Sequence, residues 1–393
     1  MTGPGIPGDI PVKASAIAEP SSIDQALVRL RDAAASGALV VPCGGGCFIN
    51  LPGPVRQADL LLLMGGINHP VLYEPEELVV RVEAGMSLAG LSVMLAAKGQ
   101  EVPWDFPWPE RQTVGGIVAS GLAGPRRAGA GSPRNHLLGA TVALPDGRIL
   151  HTGSRVMKNV AGYDLTRLLA GSFGSLGVIL EAAFRVRPIP EDSWGVQVRY
   201  ASAQGVADTG AELGRSGLGL AYLELRGSAG DYRLCAGVEG MREEVEAQRM
   251  AVLAMMARGG QVEGEHRGPA AGNFLRELAA GPWTEPGPLF RVSIPPDRLA
   301  AVLQASRDQV FASVMSGVAR FSPGRNLTPM EVRDQVAELG RVAGPAGGWV
   351  VPERAPVGQE EFTPPAIRKI NQGIRKIFDP AGCLSAGRST PGA

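Results

Sequence analysis

The sequence predicts an α+β protein with three parts: a first domain over residues 1–190, a smaller α+β domain over 191–345, and a C-terminal tail over 346–393 that returns to the first domain. At 393 residues the chain is longer than one ordinary hydrophobic core accommodates. Segments with the apolar spacing of helices alternate with short apolar runs typical of strands. Pro188-Ile189-Pro190 interrupts this pattern and marks the first boundary.

The first domain is predicted to begin with a helix, a strand and a glycine loop. Ser22 and Gln25 have the spacing of a capping box, and Gly37 ends the helix that follows. The strand over 38–41 then leads into the loop Pro42-Cys43-Gly44-Gly45-Gly46-Cys47. The remaining predicted elements are a strand over 78–83, a helix over 87–98, a β-hairpin over 137–144 and 148–152, and a strand over 178–187.

The second domain is predicted to be a layer of helices on a sheet, because strand and helix patterns alternate along it. The predicted strands are 194–200, 221–226, 232–238 and 290–294, and the predicted helices are 203–214, 241–258 and 296–306. A further helix over 364–378 lies in the tail.

Composition disfavours several classes of protein. The 38 Lys and Arg residues balance 38 Asp and Glu residues, so no net field attracts nucleic acid or an anionic membrane. The apolar run 60–64 is far shorter than the roughly 20 residues of a membrane-spanning helix. The N-terminus lacks a basic segment followed by an apolar core, and we therefore expect a cytoplasmic protein. Cys43 and Cys47 lack a second ligand pair, so no metal site is predicted.

Four glycine-bearing segments indicate a site for a phosphate-containing ligand. They are 42–47, 113–116, 161–164 and 171–177. Glycine has no Cβ, so an anion can approach successive backbone NH groups. Each segment alone is typical of an ordinary turn, but four of them in one domain favour a pyrophosphate site. Neither a P-loop motif nor the glycine fingerprint of a Rossmann fold is present.

Three of these segments resemble a known family. Residues 112–121, QTVGGIVASG, resemble the "ATIGG-VA-G" segment of the FAD domain shared by vanillyl-alcohol oxidase and p-cresol methylhydroxylase. The loop 42–47 resembles the first pyrophosphate loop of that family, and 171–179 resembles its "GS-GTLGVI" segment. The resemblance implies an FAD-binding domain of the p-cresol methylhydroxylase type, which consists of two α/β subdomains with FAD extended between them.

The same resemblance implies the residues that bind the cofactor. Residues 120–125 are expected near the isoalloxazine ring. In relatives with covalent flavin, a His occupies the position of Gly46, so the flavin here is expected to be noncovalent. The implied FAD-binding residues are Pro42, Cys43, Gly44, Gly45, Gly46, Cys47, Thr113, Val114, Gly115, Gly116, Ala119, Ser120, Gly121, Pro125, Gly174, Gly177, Val178 and Ile179.

Three further segments, 124–127, 156–165 and 289–295, resemble the E subunits of glycolate oxidase complexes. The segment 375–382 is similar to the closing "FDP-G" element of this family, but the usual Asn-Pro-Gly continuation is here Ser385-Ala386-Gly387. The resemblance implies two protein partners, a D-type flavoprotein subunit and an iron–sulfur subunit that accepts electrons. It also implies that contact with a membrane occurs only through these partners.

The sequence assigns no catalytic residue. Oxidation of a 2-hydroxy acid needs a base for the hydroxyl proton and a cation for the carboxylate, while the flavin accepts the hydride. The four histidines are scattered and form no ligand pair. Arg291 is a candidate carboxylate clamp or a member of an ordinary ion pair. Lys158 and Tyr163 are expected either to face the flavin or to cap a loop.

Three hypotheses therefore remain open. The chain is an FAD-binding subunit of a glycolate oxidase or dehydrogenase complex that oxidises 2-hydroxy acids to 2-oxo acids. Alternatively, it is a self-sufficient FAD-dependent oxidase or dehydrogenase of lactate-like acids or sugars. In the third hypothesis it is a structural subunit that no longer uses FAD.

Overall fold

The computed structural model describes residues 12–51, 53–55, 57–153 and 164–384. Within these ranges the fold is α+β, as predicted, and contains four sheets. Lys158, Tyr163 and Ser385-Ala386-Gly387 lie outside the described residues, so their predicted roles stay predictions. None of the helices in the described ranges is long and apolar enough to cross a membrane.

The first subdomain is a three-stranded parallel sheet flanked by one helix. Its strands β1 (Lys13–Ala18), β2 (Val40–Cys43) and β3 (Gln57–Leu63) lie in the order β1-β3-β2. Helix α1 (Ile23–Ser36) begins at the predicted cap, where the Ser22 side chain accepts a hydrogen bond from the backbone NH of Gln25. The helix ends at Gly37, which adopts the left-handed conformation that glycine tolerates without strain.

The second subdomain is built on a five-stranded antiparallel sheet, with strand order β4-β5-β9-β7-β8. Two further strands, β6 and β10, form a separate pair. The strands are β4 (Pro70–Glu74), β5 (Val79–Glu83), β6 (Gln100–Glu101), β7 (Leu137–Ala143), β8 (Ile149–Gly153), β9 (Val178–Arg185) and β10 (Arg187–Pro188). The helices are α2 (Leu88–Ala96), α3 (Val114–Ser120), α4 (Arg127–Ala130), α5 (Pro133–His136) and α6 (Leu165–Leu169).

The second domain is an eight-stranded antiparallel sheet with strand order β14-β11-β13-β12-β16-β17-β15-β18. Its strands are β11 (Asp192–Tyr200), β12 (Leu220–Ser228), β13 (Asp231–Gly240), β14 (Gln261–Arg267), β15 (Leu289–Ser293), β16 (Gln309–Ser313), β17 (Val318–Ser322) and β18 (Trp349–Arg354). Its helices are α7 (Ala203–Arg215), α8 (Arg242–Ala257), α9 (Pro269–Thr284), α10 (Leu299–Ala305) and α11 (Pro329–Ala343).

The two faces of this sheet have different neighbours. Helices α7, α8, α10 and α11 bury one face in the main core of the domain, which includes Leu223, Val292 and Phe321. Helix α9 packs on the opposite face, against Tyr222 and Cys235. Successive side chains on a strand point to opposite faces, so polar residues next to these core positions face the first domain.

The end of the described chain returns to the first subdomain. Helix α12 (Pro365–Phe378) follows β18, and the backbone NH of Val40 then donates a hydrogen bond of 2.7 Å to the carbonyl of Cys383. Leu384 forms a parallel bridge with Val40. The eight-stranded sheet itself continues to Arg354, beyond the predicted limit of the second domain at residue 345.

A buried ionic network joins the two domains. The Nε atom of Arg126 donates to Asp105 at 2.8 Å, and its NH1 group donates to both carboxylate oxygens of Glu101 at 3.1 Å. Glu239 on β13 lies 3.5 Å from Arg126 and 2.8 Å from Arg187. Burial alone lowers the pKa of Arg126, but the three carboxylates outweigh this effect and raise it. The guanidinium is therefore charged at every accessible pH.

The capping box at the start of α11 makes stability depend on pH. The backbone NH of Thr328 donates to the Glu331 carboxylate at 2.8 Å, and Arg325 lies 2.9 Å from it. Led by the Thr328 amide, these groups lower the pKa of Glu331 from its usual 4.5 to about 2. Because the pKa of the folded state is depressed, the stabilisation is complete above pH 4.5 and is lost as the pH falls toward 2.

We therefore expect Glu331→Gln to lower the melting temperature at pH 7 and to have a progressively smaller effect below pH 4.5. Thermal melts at pH 7, 5 and 3.5 measure this difference. Glu76→Gln is the control, because Glu76 is exposed and forms no hydrogen bond with the described residues. If Glu331→Gln lowers the melting temperature as much at pH 3.5 as at pH 7, the charge of Glu331 does not have the assigned role.

Candidate functional site: a glycine-lined cleft and an arginine-rich cavity

Residues from three of the four predicted segments line a single cleft of about 740 Å³ between the two subdomains. The fourth segment, 161–164, lies outside the described residues except for Asp164, whose side chain caps α6. The predicted residues that line the cleft are Pro42, Cys43, Gly44, Gly45, Gly46, Cys47, Thr113, Gly115, Gly116, Ala119, Ser120, Gly174, Gly177, Val178 and Ile179.

Three predicted residues lie elsewhere. Val114 is fully buried in the core of the second subdomain and does not line the cleft. Gly121 and Pro125 line a second cavity, which lies between α3 and the eight-stranded sheet. The structure therefore divides the predicted residues between the cleft and a neighbouring cavity.

The first loop requires glycine because it packs directly against the segment before α3. A Cβ atom on Gly45 would overlap the carbonyl oxygen of Arg111, and one on Gly44 would overlap the hydroxyl of Thr113. Gly46 has a φ of +72°, which disfavours any residue with a side chain. Because these glycines have no side chains, the backbone of the loop is exposed to the cleft.

The amide nitrogens of Gly44, Gly45 and Gly46 donate no hydrogen bond to the residues that the structure describes. These three glycines are half-buried and line the cleft, so their free amides can donate hydrogen bonds to a bound ligand. Successive NH groups of this kind form an anion-binding concavity.

The segment 113–116 plays a different part from the one that the sequence predicts. The NH of Gly115 donates to the carbonyl of Ala84 at 2.7 Å, and that of Val114 donates to Met86 at 2.9 Å. The NH of Gly116 donates to the Thr113 hydroxyl at 3.2 Å, as expected for an N-cap. These amides hold α3 against the end of β5 and do not point freely at an anion. The small residues of α3 contribute space to the cleft.

The third segment is joined to the C-terminal end of α3. A Cβ on Gly121 would lie 2.8 Å from the Cα of Gly171, so Gly121 must be small, while Gly171 is favoured by its φ of +88°. The NH of Phe173 donates to the carbonyl of Ala119 at 2.8 Å. Phe173 and Ser120 line both the cleft and a third cavity of about 1440 Å³. The cleft therefore opens toward the second domain at the end of α3.

The second and third cavities share lining residues, including Gly121, Leu122, Arg127 and Arg291. The charged residues that line the two cavities are Arg127, Arg134, Arg226, Arg291, Arg320, Glu224, Glu277 and Glu353. Of these, only Arg291 was identifiable as a candidate from the sequence. Glu224 and Arg320 could not be predicted from the sequence, because they come near Arg291 only through the pairing of strands.

The thiols of the first loop are not arranged for chemistry. Cys43 is buried, and Cys47 is half-buried. Burial raises the pKa of the Cys47 thiol, and Arg111 opposes this effect only in part. The thiol is therefore protonated and weakly nucleophilic at neutral pH. No group of three or more His, Cys, Asp and Glu residues in the described part of the chain could hold a metal ion.

The histidines and the aromatic loop lie away from the cavities. His69 is exposed beside Glu83, and His266 stacks on Phe274. Trp104 and Phe106, which belong to the aromatic loop 104–108, are buried in the core of the second subdomain. These two side chains are therefore not available to contact a ligand or a partner.

Comparisons with known proteins agree with the geometry of the cleft. A family model described as an FAD binding domain matches residues 14–153. The chain is 32% identical over 350 residues to glycolate oxidase subunit GlcE of Escherichia coli (strain K12), which covers 87% of this chain and 89% of that protein. It is also 31% identical over 171 residues to glycolate oxidase subunit GlcD of Bacillus subtilis (strain 168), covering 44% of this chain and 35% of that protein.

A solved structure, an alkyldihydroxyacetonephosphate synthase, has the same fold. The two structures superpose with a TM-score of 0.68 over 93% of this chain and 76% of the other, at 14% sequence identity.

Proposed function

This chain belongs to the family of glycolate oxidase E subunits, which are FAD-linked oxidoreductases, and we propose that it is the FAD-binding subunit of a complex that oxidises 2-hydroxy acids to 2-oxo acids. FAD supplies the two-electron acceptor for such a reaction. The observation that carries the proposal is the row of free amides at Gly44, Gly45 and Gly46.

The residues of the cleft fit the diphosphate of FAD. The loop exposes three consecutive NH groups, and close packing against Arg111 and Thr113 leaves no room for side chains beside them. An anion can therefore come within hydrogen-bond distance of the backbone. In this proposal the first loop binds the diphosphate, while Val178 and Ile179 line the cleft for the adenosine side.

The position of α3 supports an orientation for the ring. Ser120 lines the cleft and the third cavity, and Gly121 and Pro125 line the second cavity. An extended dinucleotide that begins at the first loop reaches these cavities past the end of α3. We place the isoalloxazine ring there, between the first domain and the eight-stranded sheet.

We propose that the flavin is held without a covalent bond. Gly46 has no side chain that could form a covalent bond to the flavin ring, and its positive φ disfavours any residue that has a side chain. The raised pKa of Cys47 argues against a thioether link from the same loop.

The proposed partners are a D-type flavoprotein subunit and an iron–sulfur subunit that accepts electrons. The similarity to both E and D subunits of glycolate oxidases supports a multi-subunit complex. We propose a cytoplasmic location for it, with contact to the inner face of a membrane made through the partners.

The test is to purify the full chain with its cellular partners and to record its visible spectrum. Because the D-type partner is itself a flavoprotein, flavin is counted in the complex and again in this chain after separation from its partners. We expect one FAD per copy of this chain, released into the supernatant by acid precipitation because no covalent bond retains it. Flavin that stays with the precipitate would refute the noncovalent mode. A colourless chain that FAD cannot reconstitute would favour the structural-subunit hypothesis, and bleaching of the isolated chain by glycolate or D-lactate would favour a self-sufficient enzyme.

A further inference from the structure

The face of the eight-stranded sheet that is turned to the first domain carries a row of polar side chains. The sheet register places Glu224 opposite Ser313, Phe311 opposite Arg320, and Arg320 opposite Arg291. Residues directly opposite one another on one face lie about 5 Å apart at Cβ. The register therefore concentrates two arginines and one carboxyl group on four neighbouring strands.

Only one of the two arginines in this row has a carboxylate partner in the described part of the chain. Arg320 binds Glu353 through two hydrogen bonds of 2.5 and 3.1 Å, so each of these two residues neutralises the other. Arg291 forms no hydrogen bond or ion pair within the described ranges, and its Nε atom is completely buried. Arg127, contributed by α4 of the first domain, also has no carboxylate partner among the described residues.

Arg127, Arg291 and Arg320 lie close enough to one another for their positive charges to repel. Burial, together with the charges of Arg291 and Arg320, lowers the pKa of Arg127. Burial and Arg320 also lower the pKa of Arg291, against the opposing effect of Glu353. A buried charge without a partner destabilises the folded protein. An anionic ligand would remove this penalty.

Neutral hydrogen-bonding groups border the same cavity. Glu224 and Ser313 are opposed in the sheet register and close enough for the Ser313 hydroxyl to lower the pKa of Glu224, but their geometry leaves the buried Oε1 and Oγ atoms without a well-formed hydrogen bond to the described residues. Burial raises the pKa of Glu224 to about 8, and Ser313 and Arg320 offset this only in part. The carboxyl group is therefore mostly protonated at pH 7 and adds little negative charge to oppose an anion.

We propose that this cavity is a binding site of the chain's own for a small organic carboxylate, held at its carboxylate by Arg291 and Arg127 and at its other polar end by Glu224 and Ser313. The guanidinium group of an arginine is planar and can donate two parallel hydrogen bonds to a carboxylate. A ligand held by Arg291 and Arg127 would contact both domains. The inference rests on the proposed function only for the position of the flavin ring beside the cavity. It gives this subunit an acid-binding site separate from any on its partners.

The test is calorimetric titration of the full chain, as purified, with oxalate, which resists oxidation by hydride transfer. The flavin content of each preparation is measured in parallel, so a failure to bind FAD is seen independently of a failure to bind oxalate. We expect saturable binding of oxalate, and at least tenfold weaker binding by Arg291→Met. Oxamide, the neutral analogue of oxalate, should not compete.

Two further variants separate binding from folding. Arg291→Lys keeps the charge without the fork and should retain part of the affinity. Arg199→Met is the matched control, because Arg199 lies on β11 of the same sheet and pairs with Asp231 at the surface, 2.7 Å away. Its oxalate affinity should equal that of the unaltered chain. Absence of oxalate binding to the unaltered chain, or equal affinity in Arg291→Met, overturns the proposal whether or not flavin is present.

Discussion

A single methyl group at Gly45 is expected to weaken FAD binding about 100-fold or more. The Cβ atom of Gly45→Ala would overlap the carbonyl oxygen of Arg111, and a backbone carbonyl has no rotamer by which to move away. The loop must therefore shift and misplace its free amides. Hydrogen bonds to a charged group contribute about 1.5–3 kcal/mol each, so the loss of two accounts for this factor.

The affinity is measured by titrating the apoprotein with FAD and following flavin fluorescence. Gly340→Ala is the matched control, since Gly340 lies within α11 and a Cβ there meets no other atom within 4 Å. This control should bind FAD normally and should be slightly more stable, because alanine favours the helix. If Gly45→Ala keeps a normal melting temperature and a normal FAD affinity, the first loop does not bind the diphosphate.

The second large effect concerns the buried network around Arg126. We expect Arg126→Met to reduce the free energy of unfolding by about 3–5 kcal/mol, because three carboxylates would lose the charge of Arg126 and only two of them would keep a second cation, Arg187. Those carboxylates are Asp105, Glu101 and Glu239, and the last belongs to the second domain. Urea titration followed by tryptophan fluorescence measures the loss. Contact between the domains should weaken at the same time.

Arg148→Met is the control for this prediction. Arg148 pairs with Asp146 at 2.7 Å, but both side chains are more than half exposed. An exposed pair contributes at most about 1 kcal/mol, so its removal should have little effect. Equal stability losses in the two variants would show that burial does not set the strength of the Arg126 network.

The local parts of the fold were predictable because their signals lie within a few residues of one another. Ser22 and Gly37 mark the ends of α1, and both caps occur as predicted. The hairpin of β7 and β8 has its turn at Asp146-Gly147. By contrast, β16 and β17 were not predicted, because each has only five residues and its sequence shows no clear alternation of polar and apolar residues. Their stability comes from neighbours on both sides in the sheet.

The site was predictable only where glycine spacing reveals it. The first loop stands out because Gly44, Gly45 and Gly46 are consecutive. The internal acceptor of the Gly115 amide, Ala84, is 31 positions away and was not foreseeable. The arginine-rich cavity could not be predicted either, because Glu224 and Arg320 are far apart in the sequence and come together only through strand pairing.

The bridge between Val40 and Leu384 has a consequence for biosynthesis. Val40 begins the strand that leads into the first loop, yet one of its neighbours is among the last described residues of the chain. A ribosome has therefore translated more than 380 codons before that strand can acquire this neighbour. The parallel sheet that carries the first loop is accordingly completed only after both domains have been synthesised.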